Sequence, residues 1–318
     1  MRSRLLHQFD RDKLPAAAIA RWFSSDAAFE HVQDSESFVY RVFSGEAQFY
    51  LRFTHQLHRL REQIAAELDF VKYLASRGVP VARPIASKSG SLIETFNSHG
   101  LELSTCVFEA APGGRLTWKT PNWNTDNFRR WGRALGALHA NTLRASIERT
   151  PRRITWHEDD VWVNADMYLL RDEHSARREI SILREWLKDH TQNDGEFGLI
   201  HGDLCAANFF VQDDLVTLFD FDDSCYHWFI YDLVCTLAPA TFRPAEERQP
   251  LRNAIVEGYL MEHTLPADWE YQFSRFLRMR GLFLFILHQR NWDGDPAENP
   301  RRGLIDRLRQ SFDEPAVW

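Results

Sequence analysis

Between Leu199 and Ser224 the chain reads LIHGDLCAANFFVQDDLVTLFDFDDS, and this stretch constrains the fold more than any other. It sets a carboxylate, an amide and a second carboxylate, Asp203, Asn208 and Asp220, among Leu, Phe and Val. Acidic groups in such company must be solvated, paired or bound to a cation, because burying them bare is costly. The apolar runs are short and strand-like, whereas the flanking segments carry helical periodicity. A hairpin embedded in a helical body is what the pattern predicts. A carboxylate and an amide on one tight loop can face the same point, and a carboxylate after the next strand can join them. Two carboxylates and an amide oxygen form a hard-oxygen set suited to Mg2+, which keeps waters and takes phosphate oxygens as its remaining ligands. One carboxylate must stay off the metal to accept the proton of an attacking hydroxyl.

The first third of the chain has a different character. Leu14 to Phe23 predicts a short helix. From Ser37, SFVYRVF, the turn SGE and AQFYLRFT predict a hairpin, with Phe49, Leu51 and Phe53 on one face and Tyr50, Arg52 and Thr54 on the other. HRLREQIAAELDFVKYLASRG predicts an amphipathic helix closed by Gly78. Its stripe of Ile64, Leu68, Val71 and Leu74 includes Glu67, and a glutamate on a buried face needs a partner. Two more strands are expected at Ser91–Thr95 and Leu101–Phe108, followed by the Pro/Gly-rich joint EAAPGGRL. Beyond Thr125 the chain reads as helices: FRRWGRALGALHANT, VNADMYLLRDEH, ARREISILREWLKDH, a stretch after Tyr231, and YQFSRFLRMRGLFLFILHQRNW.

Composition removes several classes of function. The formal charge of −7 argues against a nucleic-acid binder. Four cysteines without a CxxC pair fit a reducing compartment, and the spacing of Cys205, Cys225 and His227 fits no standard zinc site. The N-terminal residues lack the apolar core of a signal peptide, and the longest apolar run, Gly281 to Leu287, is too short to span a bilayer. No membrane association and a cytoplasmic location are therefore expected.

HGDLCAANFF followed by LFDFDD resembles the catalytic and metal-binding segments of the aminoglycoside phosphotransferase and choline kinase family, small-molecule kinases with a protein-kinase-like fold. YDL at Tyr231–Leu233 and LGALHA at Leu135–Ala140 extend the match, which spans roughly residues 35–237. The resemblance implies an α+β, two-lobe fold. Residues 1–110 would form a nucleotide-binding lobe, a small antiparallel sheet with one helix, and residues 111–318 a mainly helical lobe with the catalytic loop and acceptor site. It implies ATP and Mg2+ as cofactors, with Asp203 as the base and Asn208 and Asp220 as metal ligands. Asp232 and His201 would brace the catalytic loop. Arg52 stands where the family usually has the phosphate-binding lysine, and Glu67 would be its helix partner; guanidinium and ammonium grip phosphates differently. The phosphate loop QDSESFVYRV lacks glycine, so Ser35 and Ser37 are candidate donors. Phe108 to Ala111, Ala110 included, is the hinge candidate for adenine, or else a plain linker.

The form DFDDSCYHWFIYDL is most similar to the branch holding homoserine-kinase-like proteins and the bacterial stress-response Ser/Thr kinase. Strand alternation would point Asp222 the same way as Asp220, as an auxiliary metal or amine-binding group. Asp223, His227 and Trp228 are acceptor-pocket candidates, or else turn residues. Arg280 on the last long helix would suit a substrate carboxylate, or else face solvent with Arg278, His288 and Arg290. Cys205 replaces a histidine common in the family. The implied activity is transfer of the γ-phosphate of ATP to a hydroxyl of a small molecule, a hydroxy amino acid or amino alcohol. Aminoglycoside kinase, protein Ser/Thr kinase and nucleotide-binding pseudokinase are the alternatives.

Overall fold

The computed structural model describes residues 9, 11, 13–24, 27–34, 37–144, 153–190, 192–193, 195–292 and 294–314. In chain order the elements begin with helix α1 (Lys13–Trp22) and strands β1 (Ala28–Asp34), β2 (Ser37–Ser44) and β3 (Ala47–His55). Helix α2 (Arg61–Ser76) and strands β4 (Pro84–Ile85), β5 (Glu94–Ser98) and β6 (Leu101–Glu109) follow. Then come α3 (Thr125–Arg144), α4 (Asp160–Val163), α5 (Ala165–Tyr168), α6 (His174–Asp189), β7 (Phe197–Ile200), β8 (Phe209–Gln212), β9 (Leu215–Leu218) and β10 (Cys225–Trp228). Helices α7 (Phe229–Leu237), α8 (Ala245–Leu260), α9 (Trp269–Arg290) and α10 (Arg302–Ser311) complete the chain. Two compact units result, one of residues 1–114, 147–153 and 210–222, the other of 115–146, 154–209 and 223–318.

The first unit is built on an antiparallel sheet of order β1-β2-β3-β6-β4, with β5 also paired to β6. The β3 alternation decides what lies on each face. Leu51 and Phe53 are fully buried with Tyr40, Val42 and Val107, and α1 covers them through Ala18, Ile19 and Trp22. On the opposite face Ile64 and Leu68 of α2 pack with Cys106 and Ile93. Since Arg52 pairs with Cys106 across the β3–β6 ladder, its side chain leaves the sheet on the α2 side. β1 was not evident in the sequence, because AFEHVQD is mostly exposed and carries no apolar alternation.

In the second unit α3 and α8 pack at backbone distance. A Cβ on Gly258 would lie 1.9 Å from the Arg129 carbonyl oxygen, and one on Gly132 would lie 2.1 Å from that of Ile255, so only glycine permits this crossing. Helix α8 escaped sequence reading because Pro250 lies inside it. Residues 163–174, expected as one helix, instead hold only the last residue of α4, the single turn α5 and the first residue of α6. Asn164 at φ −111° and ψ 20° separates α4 from α5, and extended Leu169 ends α5. Strands β7 and β10 pair antiparallel, Ile200 opposite Cys225, and this ribbon leads directly into the catalytic-loop motif. Among the described residues no helix is long and apolar enough to cross a membrane.

Candidate active site

The HGDLCAAN loop leaves the end of β7, and α7 begins immediately after β10, so the β7–β10 ladder fixes the loop against the first turns of α7. Asp232 of α7 is fully buried and accepts hydrogen bonds from the His201 and Gly202 backbone N–H groups, each at 2.8 Å. His139 of α3, also fully buried, places Nε2 3.2 Å from Asp232 Oδ2 and Nδ1 3.0 Å from the Tyr259 hydroxyl. Burial pushes the Asp232 carboxyl up, but His139 and His201 outweigh it and hold the group below its ordinary range. Gly202 has φ +85°, and a Cβ there would meet the Asp223 carbonyl oxygen at 2.2 Å, so the loop's second position requires glycine.

Held in this way, Asp203 turns its carboxylate toward two partners. Asn208 Nδ2 donates to the Asp203 carbonyl at 2.8 Å and to its Oδ2 at 3.1 Å. Arg280 Nη2 pairs with Oδ1. The side chain keeps 29% exposure, so the carboxylate is both supported and reachable. Burial pushes its pKa above the ordinary value; Arg280 opposes this and the Asp223 charge adds to it. Because the Asn208 amide nitrogen is engaged with Asp203, its amide oxygen is the atom left for a hard cation.

The first unit gathers a second set. Arg52 and Glu67 form a two-pronged pair, Nη1 to Oε1 at 2.9 Å and Nη2 to Oε2 at 2.7 Å, with side-chain exposures of 8% and 1%. The guanidinium also stands 5.1 Å above the Phe108 ring and 3.8 Å from Asp220 Oδ1. Burial works against its charge, but Glu67 and Asp222 prevail and keep it protonated. Asp220 is 43% exposed, and its backbone sits at φ +66°, a left-handed conformation that few side chains adopt.

Several expected positions differ in the structure. Asp220 lies beyond the end of β9, and Phe221–Asp223 form a 3-10 turn, so strand alternation does not relate Asp222 to Asp220. Asp222 is instead engaged within the first unit. His58 Nε2 lies 2.8 Å and Arg59 Nε 3.5 Å from its Oδ2, while Arg153 binds its carbonyl oxygen. Burial would raise its pKa, yet Arg59, His58 and Arg52 hold it well below the ordinary range. His227 and Trp228, each 2% exposed, pack in an aromatic cluster rather than at a reachable surface. The His227 ring stacks on Tyr231 at 4.1 Å, and burial lowers its pKa to about 3. Asp223 is exposed at the turn.

The Ser37 and Thr54 hydroxyls share a hydrogen bond at 3.0 Å, and Ser35 lies outside the described residues. The Ala110 N–H donates to Gln48 O at 3.2 Å, so that group is already engaged. Of the cations on α9, Arg278 reaches the Ser311 and Glu314 carbonyls, Arg290 pairs with Asp160 at 3.1 Å, and Arg280 reaches Asp203. Sequence reasoning missed His58, Arg59 and Arg153 because each finds its partner far along the chain. The one available signal was the basic cluster just before the helix that carries Glu67.

Comparison with known proteins bears on the family and the fold. Residues 29–277 match the family model described as the phosphotransferase enzyme family. Amicoumacin kinase of Bacillus subtilis (strain 168) is 26% identical over 291 residues, 88% of this chain and 86% of that protein. Homoserine kinase of Agrobacterium fabrum is 25% identical over 236 residues, 72% of this chain and 70% of the relative. Among solved structures, an amicoumacin kinase in complex with AMP-PNP, Ca2+ and Ami superposes with a TM-score of 0.90 at 24% identity, covering 100% of this chain and 98% of the other. A microcompartment-associated aminopropanol kinase gives 0.78 at 21% identity over 95% and 94%. The fold is the α+β, kinase-like fold of these proteins. The chain belongs to the phosphotransferase enzyme family and is a kinase of that family.

Proposed function

We propose that this kinase transfers the γ-phosphoryl group of ATP to a hydroxyl of a small molecule, a hydroxy amino acid or amino alcohol, with Asp203 as the base. The observation that carries this reading is the Asp203 carboxylate, held on one oxygen by Asn208 and on the other by Arg280, on a loop braced by Asp232. A carboxylate so oriented and still 29% exposed can accept the proton of an approaching hydroxyl. The acceptor oxygen forms the new bond to phosphorus as the bond to the β-phosphate oxygen breaks, and ADP leaves with that electron pair. Arg52, aligned by Glu67, supplies the fixed positive charge for the phosphates. Asn208 and Asp220 are the proposed ligands of Mg2+, which when bound neutralises phosphate charge.

Homoserine kinases among the relatives and the likeness to an aminopropanol kinase favour small hydroxylated acceptors. The similarity to amicoumacin kinase supports a second reading, in which the acceptor is an antibiotic. The test is 31P NMR of the protein with Mg·ATP and separate pools of hydroxy amino acids, amino alcohols, antibiotics including amicoumacin and aminoglycosides, and a Ser/Thr-rich protein. A phosphoester signal from either of the first two pools is the expected result. A signal from the antibiotic pool alone selects the second reading, and a signal from the protein pool alone overturns both.

A further inference from the structure

Arg153 is 4% exposed and belongs to the first unit, although in the chain it follows α3 of the second. A buried guanidinium is costly unless its N–H groups meet acceptors, and here two of them meet backbone carbonyls of different elements. Nη1 donates to Gln63 O at 2.9 Å, and Nη2 donates to Asp222 O. Gln63 stands in the first turn of α2, four residues before Glu67 and so about one helical turn from it. Asp222 lies in the 3-10 turn that follows Asp220. One planar fork therefore ties the helix that aligns Arg52 to the turn that presents the candidate metal ligand.

The backbone at that turn needs holding. Asp220 has φ +66°, a conformation that persists only where its surroundings over-determine it. Phe221 packs edge-on against Phe70 of α2 with ring centroids 5.8 Å apart, and His58 and Arg59, just before α2, hold the Asp222 carboxylate. Those contacts grip side chains, whereas Arg153 grips the main chain itself and registers it against α2. In this register Asp220 Oδ1 stands 3.8 Å from Arg52.

We propose that Arg153 is a positioning residue for the metal: by pinning the Asp222 carbonyl to α2, it sets where the Asp220 carboxylate stands relative to the Arg52–Glu67 pair. The proposal rests on Asp220 being a Mg2+ ligand, as argued above. Loss of the fork reduces what the metal adds to nucleotide binding. A general loosening of the unit would instead weaken binding with and without metal alike.

The test uses the full chain and AMP-PNP, with affinity measured by calorimetric titration in saturating Mg2+ and in EDTA. The ratio of the two affinities reads the metal's contribution. Wild type, Asp220→Asn, Arg153→Lys, Arg153→Met and Ile19→Ala are compared, each with a thermal melt. Ile19 is 3% exposed on the α1 side of the sheet, so its truncation loosens the same unit away from the turn. Asp220→Asn should lose most of the metal's contribution. Arg153→Met should lower the ratio about tenfold or more, the usual cost of removing a group that orients a metal ligand, with the EDTA affinity within about threefold of wild type. Arg153→Lys keeps the charge but lacks the fork that bridges both carbonyls, so its ratio should fall between those of wild type and Arg153→Met. Ile19→Ala should lower the melt and keep the wild-type ratio. A wild-type ratio in Arg153→Met, or in Arg153→Lys should the methionine variant fail to fold, overturns the proposal while leaving Asp220 as a ligand. A ratio that falls as far in Ile19→Ala as in the Arg153 variants also overturns it. An undiminished ratio in Asp220→Asn rejects Asp220 as a ligand, and the proposal with it.

Discussion

Removing Glu67 is the sharpest test of the first-unit set. Arg52 and Glu67 are almost fully enclosed and joined by two charge-assisted hydrogen bonds at 2.9 and 2.7 Å. Truncation of one partner in such a pair usually costs about 3–5 kcal/mol, because the other is left as an uncompensated buried charge. Here Asp220 at 3.8 Å and the Asp222 charge compensate part of the loss, so Glu67→Ala should fall at the lower end, about 3 kcal/mol. At 2–4 °C per kcal/mol that is a drop in melting temperature of roughly 6–12 °C. The double variant Arg52→Met/Glu67→Leu, which replaces the pair by apolar groups, should recover to within about 1 kcal/mol of wild type. It should nevertheless bind AMP-PNP in Mg2+ at least about tenfold more weakly, since the proposed phosphate-binding cation has gone. Urea denaturation and calorimetric titration measure the two quantities separately. A single-variant loss below about 1 kcal/mol, or a double variant with wild-type nucleotide affinity, would refute the reasoning.

Three further outcomes follow from the same geometry. Asp232→Ala leaves the His201 and Gly202 N–H groups without their buried acceptor, so stability should fall by about 3 kcal/mol or more in urea denaturation, and transfer should fall with it. His227 is held neutral in the fold with a pKa of about 3, against roughly 6.5 when unfolded. The unfolded chain therefore binds the extra proton between these values, and the stabilisation present above pH ~6.5 is lost as pH falls toward ~3. His227→Phe should flatten the stability profile between pH ~6 and ~4.5 by about 1 kcal/mol per pH unit, while losing stability at neutral pH because the Trp228 N–H loses its 2.8 Å acceptor. An unchanged slope would sink that assignment. Asp220→Asn keeps a side chain that tolerates the left-handed backbone, so its melt should match wild type while ATP-dependent transfer is lost; retained transfer would remove Asp220 from the site.

What the sequence revealed follows physical locality. The β2–β3 hairpin and α2 were legible because period-two and helical patterns are local, and Glu67 announced a missing partner by lying on an apolar stripe. The HGDLCAAN loop stood out because its polar residues sit at fixed spacing among apolar ones. What escaped was set by distant contacts: Asp222 is held by His58, 164 residues away, and no local pattern records that. The strand periodicity assumed for Asp222 failed because the left-handed backbone at Asp220 turns the chain into a 3-10 turn. His227 and Trp228 read as exposed polar-aromatic residues beside a motif, yet they fill the aromatic cluster around Phe276. α8 hid behind Pro250, whose helix is held by close packing against α3 and not by its own propensity.

The central claim is that Asp203 takes the proton of the attacking hydroxyl. Its most direct test is the single-turnover rate of phosphate transfer for Asp203→Asn against wild type, at saturating Mg·ATP and with an acceptor from the NMR pools, with AMP-PNP affinity measured in parallel. A fall of about 10²–10⁴-fold in rate, with nucleotide affinity within a few-fold of wild type, is the predicted result. Transfer within about fivefold of wild type would contradict a base at this position.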